Sequence, residues 1–311
     1  MTVRFDLPEH YDFAGTLGPL CLGRLDPAAR LGPTEFLWAV HTPGGPATLH
    51  LRRHGSTLEA AGHGPGADWV LSQADAVAGL RDDVAGFDAL AALDPVVRRA
   101  WHVKPGLRLT RTGRLFAHLV PTILAQKVTG KEAAWGYARL VRQLGEPAPG
   151  GFAGLLLPPL PAALAGTPYW AYHPFGIEQK RADTVRRVAA AADRLESAPD
   201  AATATSRLTA IRGVGVWTAA EAVRLGYGDP DAVSVGDYNI PHHVVYALTG
   251  AVRAGSREST VDRPSEADTR MLELLEPFRG QRARVVQLLL ATQPGPPRFG
   301  PRMPVRSFAR F

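Results

Sequence analysis

The sequence holds a single cysteine, Cys21, among 311 residues. One thiol cannot build a disulfide framework, nor supply the four thiolates of a cysteine-ligated iron–sulfur cluster. Lysine is scarce too: of 35 basic residues only four, Lys104, Lys127, Lys131 and Lys180, are lysines, and the other 31 are arginines. No apolar run reaches the roughly 20 residues needed to span a bilayer, and no charged-then-apolar leader opens the chain. These absences point to an intracellular, cytoplasmic protein that makes no use of a membrane. No internal repeat is visible. What is present is an excess of positive charge, +6, which suits a polyanionic partner. Arginine forks pair well with phosphate oxygens.

The length fits two domains. Residues 1–105 read as a mixed α/β unit. Strand-like runs at 35–41 and 47–53 lead through a turn at His54-Gly55-Ser56 to a third at 57–61. Helices are expected at 75–80 and 85–93, and Asp94-Pro95 signals the start of another. Residues 106–295 read as all-helical, with helices at 115–128, 132–144, 177–195, 206–211, 216–225, 240–248, 265–275 and 281–292. The fold class is therefore α+β. Residues 296–311 form a basic, proline-rich tail carrying Arg298, Arg302, Arg306 and Arg310.

The most informative segment is Leu208–Ala219, followed by Ser234–Pro241. Leu208 and Ile211 share a helical face. Gly213 and Gly215 flank Val214, which suits a tight hairpin where positive φ or close approach is needed. A second helix starts near Val216, so the amides of Val214, Gly215 and Val216 are expected to point outward as free donors at the positive end of a helix. That is an anion site able to hold a phosphate without any side chain. It would position a nucleic acid without reading its sequence. A bare Gly-x-Gly is more often an ordinary helix corner. The single carboxylate downstream, Asp237, gives the segment a second element, although a lone loop aspartate more often caps a helix, here the one starting near Ile240.

Taken together, these residues resemble the helix–hairpin–helix DNA glycosylases, and within them the 3-methyladenine DNA glycosylase II family. The hairpin Leu208…Ile211-Arg-Gly213-Val-Gly215-Val-Trp217-Thr-Ala219 and the Asp237-Tyr238 pair carry the resemblance. Ile123-Leu-Ala-Gln126-Lys-Val-Thr129 and Phe175–Ala182 are weaker matches, and the whole covers residues 110–290. The resemblance implies an N-terminal α/β domain and an all-helical helix–hairpin–helix glycosylase region. It implies Asp237 as the catalytic carboxylate, and Trp217, Tyr238 and Glu221 at the base pocket. It implies backbone contacts to DNA from Gly213, Val214, Gly215 and Val216, and a duplex wedge at Gln126 and Lys127. Trp170, Tyr172 and Phe175 are further pocket candidates, better explained as packing.

The implied chemistry is coherent. A fixed carboxylate beside the sugar stabilises oxocarbenium character as an N-glycosidic bond breaks, and can orient or deprotonate water. The base must first be rotated out of the duplex. A tryptophan face attracts a cationic, N-alkylated purine. Relatives that also cleave the strand carry a lysine at position 217 for a Schiff base; tryptophan there implies a monofunctional enzyme. Glu221 and Lys127 depart from the resembling pattern: an aromatic often stands at the first position and an apolar residue or glutamine at the second. Glu221 could equally be a surface residue paired with Arg224. No cofactor is expected. A monovalent cation on the hairpin carbonyls is compatible with the motif class, and an iron–sulfur cluster is not. The expected partner is duplex DNA containing damaged bases, bound by a monomer on the nucleoid. Two other functions fit the same residues: a glycosylase for oxidised or deaminated bases, and a non-catalytic helix–hairpin–helix DNA-binding protein.

Overall fold

A computed structural model describes residues 2–252, 254–255 and 264–297. The expected basic tail lies outside the described residues from Arg298 onward.

Five antiparallel strands open the chain: β1 (Thr2–Asp6), β2 (Ala29–Leu31), β3 (Glu35–Thr42), β4 (Gly45–His54) and β5 (Thr57–His63). They pair in the order β1-β5-β4-β3-β2. Both tight hairpins are set by two-residue turns, with Thr42 opposite Gly45 and His54 opposite Thr57. The three strands legible in the sequence are the central ones. Edge strands β1 and β2 are not legible, because β1 buries little and β2 is three residues long. Strand β3 is covered on both faces. Phe36, Trp38 and Val40 pack with Leu49, Leu51 and Leu58 against the small helices α1 (Phe13–Leu17), α2 (Ala67–Ser72) and α3 (Ala74–Val77). Leu37 and Ala39 face the other way, onto Ala148, Leu155 and Leu157. Burying each such side chain contributes about 1.5–3 kcal/mol before entropy is counted.

Helices α4 (Phe87–Ala91) and α5 (Pro95–Val103) follow. Asp94 caps α5 by accepting from the amides of Val96 and Val97 at 2.7 and 3.1 Å. Then come α6 (Leu115–Leu124), α7 (Gly130–Leu144), α8 (Pro161–Gly166), α9 (Gln179–Ala190), α10 (Ala192–Glu196), α11 (Ala201–Thr209) and α12 (Val216–Tyr227). A two-stranded ribbon, β6 (Glu146–Pro147) with β7 (Leu156–Leu157), interrupts this region. The expectation of an all-helical second region is corrected to that extent: the ribbon covers the outer face of the sheet. The chain ends with α13 (Ile240–Thr249), α14 (Glu266–Leu275) and α15 (Arg282–Thr292).

Two cores divide the helices. Leu119, Ile123, Leu140, Val185, Leu208 and Ala219 anchor the first, built from α6, α7, α9, α11 and α12. The second joins Val245, Met271, Leu275 and Leu289 of the last three helices to Phe87, Val97 and Trp101 of α4 and α5. Residues read from sequence as part of the N-terminal unit thus share a core with the C-terminal helices. A buried ion pair fastens the same junction: Arg284, 1% exposed, donates to Asp82 at 2.8 Å and lies over the Phe87 ring.

Candidate active site

The hairpin is built as the sequence suggests, with one difference. Helix α11 starts five residues earlier than expected, because the Asp200 side chain accepts from the Thr203 amide at 2.7 Å. It stops at Thr209. Gly213 adopts φ +98°, and a Cβ there would fall 2.2 Å from Thr184 Oγ1 on α9. Glycine is required on both counts. The Val214 amide is not free, which corrects the expectation of three outward donors. It donates to Ile211 O at 2.9 Å and closes the turn, while its side chain is buried. The amides of Gly215 and Val216 have no protein acceptor among the described residues. They stand at the N-terminus of α12, where a partial positive charge is concentrated. Around Gly215 a Cβ would meet nothing within 4 Å, and Val216 is 61% exposed. The expected anion site thus narrows to two open amides.

The expected wedge divides in two. The Gln126 amide turns inward, donating to Gly213 O at 3.1 Å and to Thr218 Oγ1 at 2.8 Å. It braces the hairpin and does not project. Lys127 stands exposed at the tip between α6 and α7, in the left-handed region at φ +56°. Few side chains adopt this conformation without a surrounding structure that imposes it. Arg187 donates to Arg212 O at 3.2 Å. With Ile211, Arg212 and Gly213 carbonyls all accepting protein donors, a monovalent cation at the hairpin would have to share them.

Asp237 is held from two sides. Its Oδ1 accepts from the amides of Asn239 and Ile240 at 2.7 and 2.8 Å. This is the helix-capping role that an isolated loop aspartate would have. Its Oδ2 accepts from Trp217 Nε1 at 3.0 Å, and retains lone-pair capacity for a further partner. The carboxylate is half-buried, beside Tyr238, which is 58% exposed. The loop that carries it is pinned at Gly236, whose amide donates to Asp268 Oδ1 at 2.8 Å. Asp268 is buried and forms a capping box with Ser265 at the start of α14. Ser234, three residues before Asp237, donates its hydroxyl to Glu221. The sequence alone does not reveal Asp268 or Ser234 as supports, because both act across gaps that only the tertiary fold closes.

Beyond Trp217 lies a cavity of about 160 Å³ between the sheet and the helices. Trp217, Glu221 and Arg224 of α12 form one wall, and Trp38, His118 and Tyr137 are among the others. Trp217 therefore touches both parts of the site, bonding Asp237 through its indole N–H and facing the cavity with its ring. Glu221 does reach the cavity, and it also pairs with Arg224 at 2.9 Å. Burial pushes the Glu221 carboxyl up, but Arg224 and the Ser234 hydroxyl outweigh it and leave the group below its usual range. It is a charged strut tying α12 to the Asp237 loop. Trp170, Tyr172 and Phe175 do not line the cavity, and Tyr172 is fully buried with its hydroxyl on Leu164 O. Among the described residues no cluster of His, Cys, Asp and Glu could hold a metal ion, and no helix is long and apolar enough to cross a membrane.

A 3-methyladenine DNA glycosylase from Archaeoglobus fulgidus superposes on 93% of this chain and 97% of its own, with TM-score 0.73 and 17% identity. The fold is that of the helix–hairpin–helix DNA glycosylases. An 8-oxoguanine glycosylase/lyase from Clostridium acetobutylicum shares this glycosylase fold over 93% of the chain and 95% of its own, at TM-score 0.68 and 12% identity. In sequence, the chain is homologous to a probable bifunctional transcriptional activator/DNA repair enzyme AlkA of Mycobacterium tuberculosis, 32% identical over 163 residues. That match takes in 51% of this chain and 32% of the relative. The chain thus spans about a third of the length of the curated relatives it matches. No family model matches it.

Proposed function

We propose that this protein is a monofunctional DNA glycosylase that extrudes alkylated purines, 3-methyladenine and 7-methylguanine, from duplex DNA and releases them by hydrolysis. The observation that carries this reading is the Asp237–Trp217 pair. It joins a fixed carboxylate to a tryptophan that lines a cavity and directly follows two open amides at the start of α12. The homology to a DNA repair enzyme AlkA and the fold shared with a 3-methyladenine glycosylase support it.

The steps follow from the geometry. The amides of Gly215 and Val216 hold a backbone phosphate, and Lys127 approaches the duplex from the tip between α6 and α7. The damaged nucleotide turns outward, and its base enters the cavity past Trp217. An N-alkylated purine already carries positive charge, so it departs neutral as its glycosidic bond breaks. Asp237 offsets the charge developing on the sugar. It also accepts a proton from the water whose oxygen bonds to the sugar carbon. Position 217 offers an indole where a Schiff-base route needs an amine, so the abasic strand is left uncut.

The likeness to an 8-oxoguanine glycosylase/lyase gives a second reading, release of an oxidised base. A panel of duplexes each bearing one lesion separates the two. The decisive test is free base released from methylated DNA by the wild type and by Asp237→Asn. Asparagine retains an oxygen for the Asn239 and Ile240 amides and removes the charge. The expected result is retained duplex binding with base release lowered at least about a hundredfold. Equal release by both proteins would leave only a non-catalytic DNA-binding role.

A further inference from the structure

Two polar groups in the cavity wall have no protein partner. Tyr137, on α7, is 4% exposed, yet its hydroxyl meets no protein group among the described residues while the side chain lines the cavity. Burial and the nearby Asp26 carboxylate push this phenol well above its ordinary range, so it remains a donor. His118, on α6, is 5% exposed. Its tautomer follows from its neighbours. With the Thr112 hydroxyl proton directed at Leu225 O, 3.1 Å away, we assign the ring as the donor at the 2.8 Å contact between Thr112 Oγ1 and His118 Nε2. Burial, then the positive charge of Arg224, holds the ring's pKa down to about 3. The neutral ring with its proton on Nε2 carries a bare lone pair on Nδ1, which has no protein partner. Trp38 stacks on this ring at 9° and fixes its plane.

Both side chains are almost fully covered, and the polar atom that each leaves unbonded opens onto the same cavity, where an occupant can pair with it. We infer that the Tyr137 hydroxyl and the His118 Nδ1 atom read the polar edge of the extruded base, the first as a donor and the second as an acceptor. This rests on the proposed glycosylase reading and deepens it. A purine edge offers the complementary pair: a ring nitrogen or carbonyl oxygen to accept from Tyr137, and an N–H to donate to His118. A base that presents no such pair at this edge leaves one of these two residues unpaired once it fills the cavity, which costs more than the bond itself.

Two substitutions isolate these groups. Tyr137→Phe deletes only an oxygen that supports nothing else in the fold. His118→Gln keeps an amide donor for Thr112 and removes the ring Nδ1 from its place in the cavity wall. The measurements are single-turnover release of 3-methyladenine and 7-methylguanine from methylated duplex, Kd for a duplex carrying a tetrahydrofuran abasic site, and thermal melting. The expected result is release lowered about five- to tenfold by each change. Binding of the base-less duplex and the melting temperature of Tyr137→Phe should stay at wild-type values. Release by Tyr137→Phe at the wild-type rate, or a lowered melting temperature for that variant, overturns the inference. A wild type that frees no base from methylated DNA defeats the proposed function itself, and is thus told apart from either of those outcomes.

Discussion

Asp237 serves two ends with two oxygens. Oδ1 caps the helix that follows, and Oδ2 takes the indole N–H of Trp217. The first contact fixes the carboxylate plane and the second fixes its rotation. Trp217→Phe keeps a ring in the cavity wall and removes the second restraint. Single-turnover base release should fall about tenfold, with affinity for a duplex bearing an abasic analogue unchanged. His118 gives a second test at this scale. Its folded pKa is depressed to about 3, below the unfolded value of about 6.5. The stability it contributes is complete above the unfolded value and is lost as pH falls from there toward the folded value. Urea titrations between those limits should show a steeper proton-linked slope in the wild type than in His118→Gln. Position 237 was legible in the sequence because a motif frames it. Tyr137 and His118 were not, since neither stands in a motif and their shared place in the cavity wall arises only once sheet and helices close.

The hairpin between α11 and α12 separates two kinds of glycine. Gly213 is demanded by the fold, with positive φ and Thr184 against it, whereas Gly215 has open space and an ordinary φ of −96°. Gly213→Ala should lower stability by about 1–3 kcal/mol in chemical denaturation. Gly215→Leu should leave the denaturation midpoint alone and weaken every duplex alike, damaged or intact, because it obstructs the amides proposed to hold a phosphate. A Gly215→Leu protein that discriminated between duplexes would mean that this turn is not the phosphate clamp. The two glycines were legible as a hairpin. Their different duties were not, because Thr184 lies on α9, about thirty positions earlier. Helix positions were legible from apolar spacing, and their ends less so. The expected helix at 177–195 is broken at Ala191 into α9 and α10, and the one at 115–128 ends at Leu124, short of the Lys127 turn.

At the scale of the molecule, the sheet, the first helical core and the second form one connected body. The α+β class and the order of its parts were legible from the change in texture along the chain. The packing of α4 and α5 against α13–α15 was not, because local pattern says which face is apolar and never which distant face will cover it. Asp82→Ala should destabilise the whole protein by about 3–5 kcal/mol, as it strands a buried guanidinium. The loss should be visible as a single lowered transition in circular dichroism. The same pair has a consequence for engineering. A version beginning at residue 106 would retain Asp237, the hairpin and Lys127, yet Arg284 would have no counterion and Met271 and Leu275 would lose Phe87 and Trp101. The helical part is therefore not a detachable module, and grafting it onto another scaffold would require carrying its opening hundred residues along.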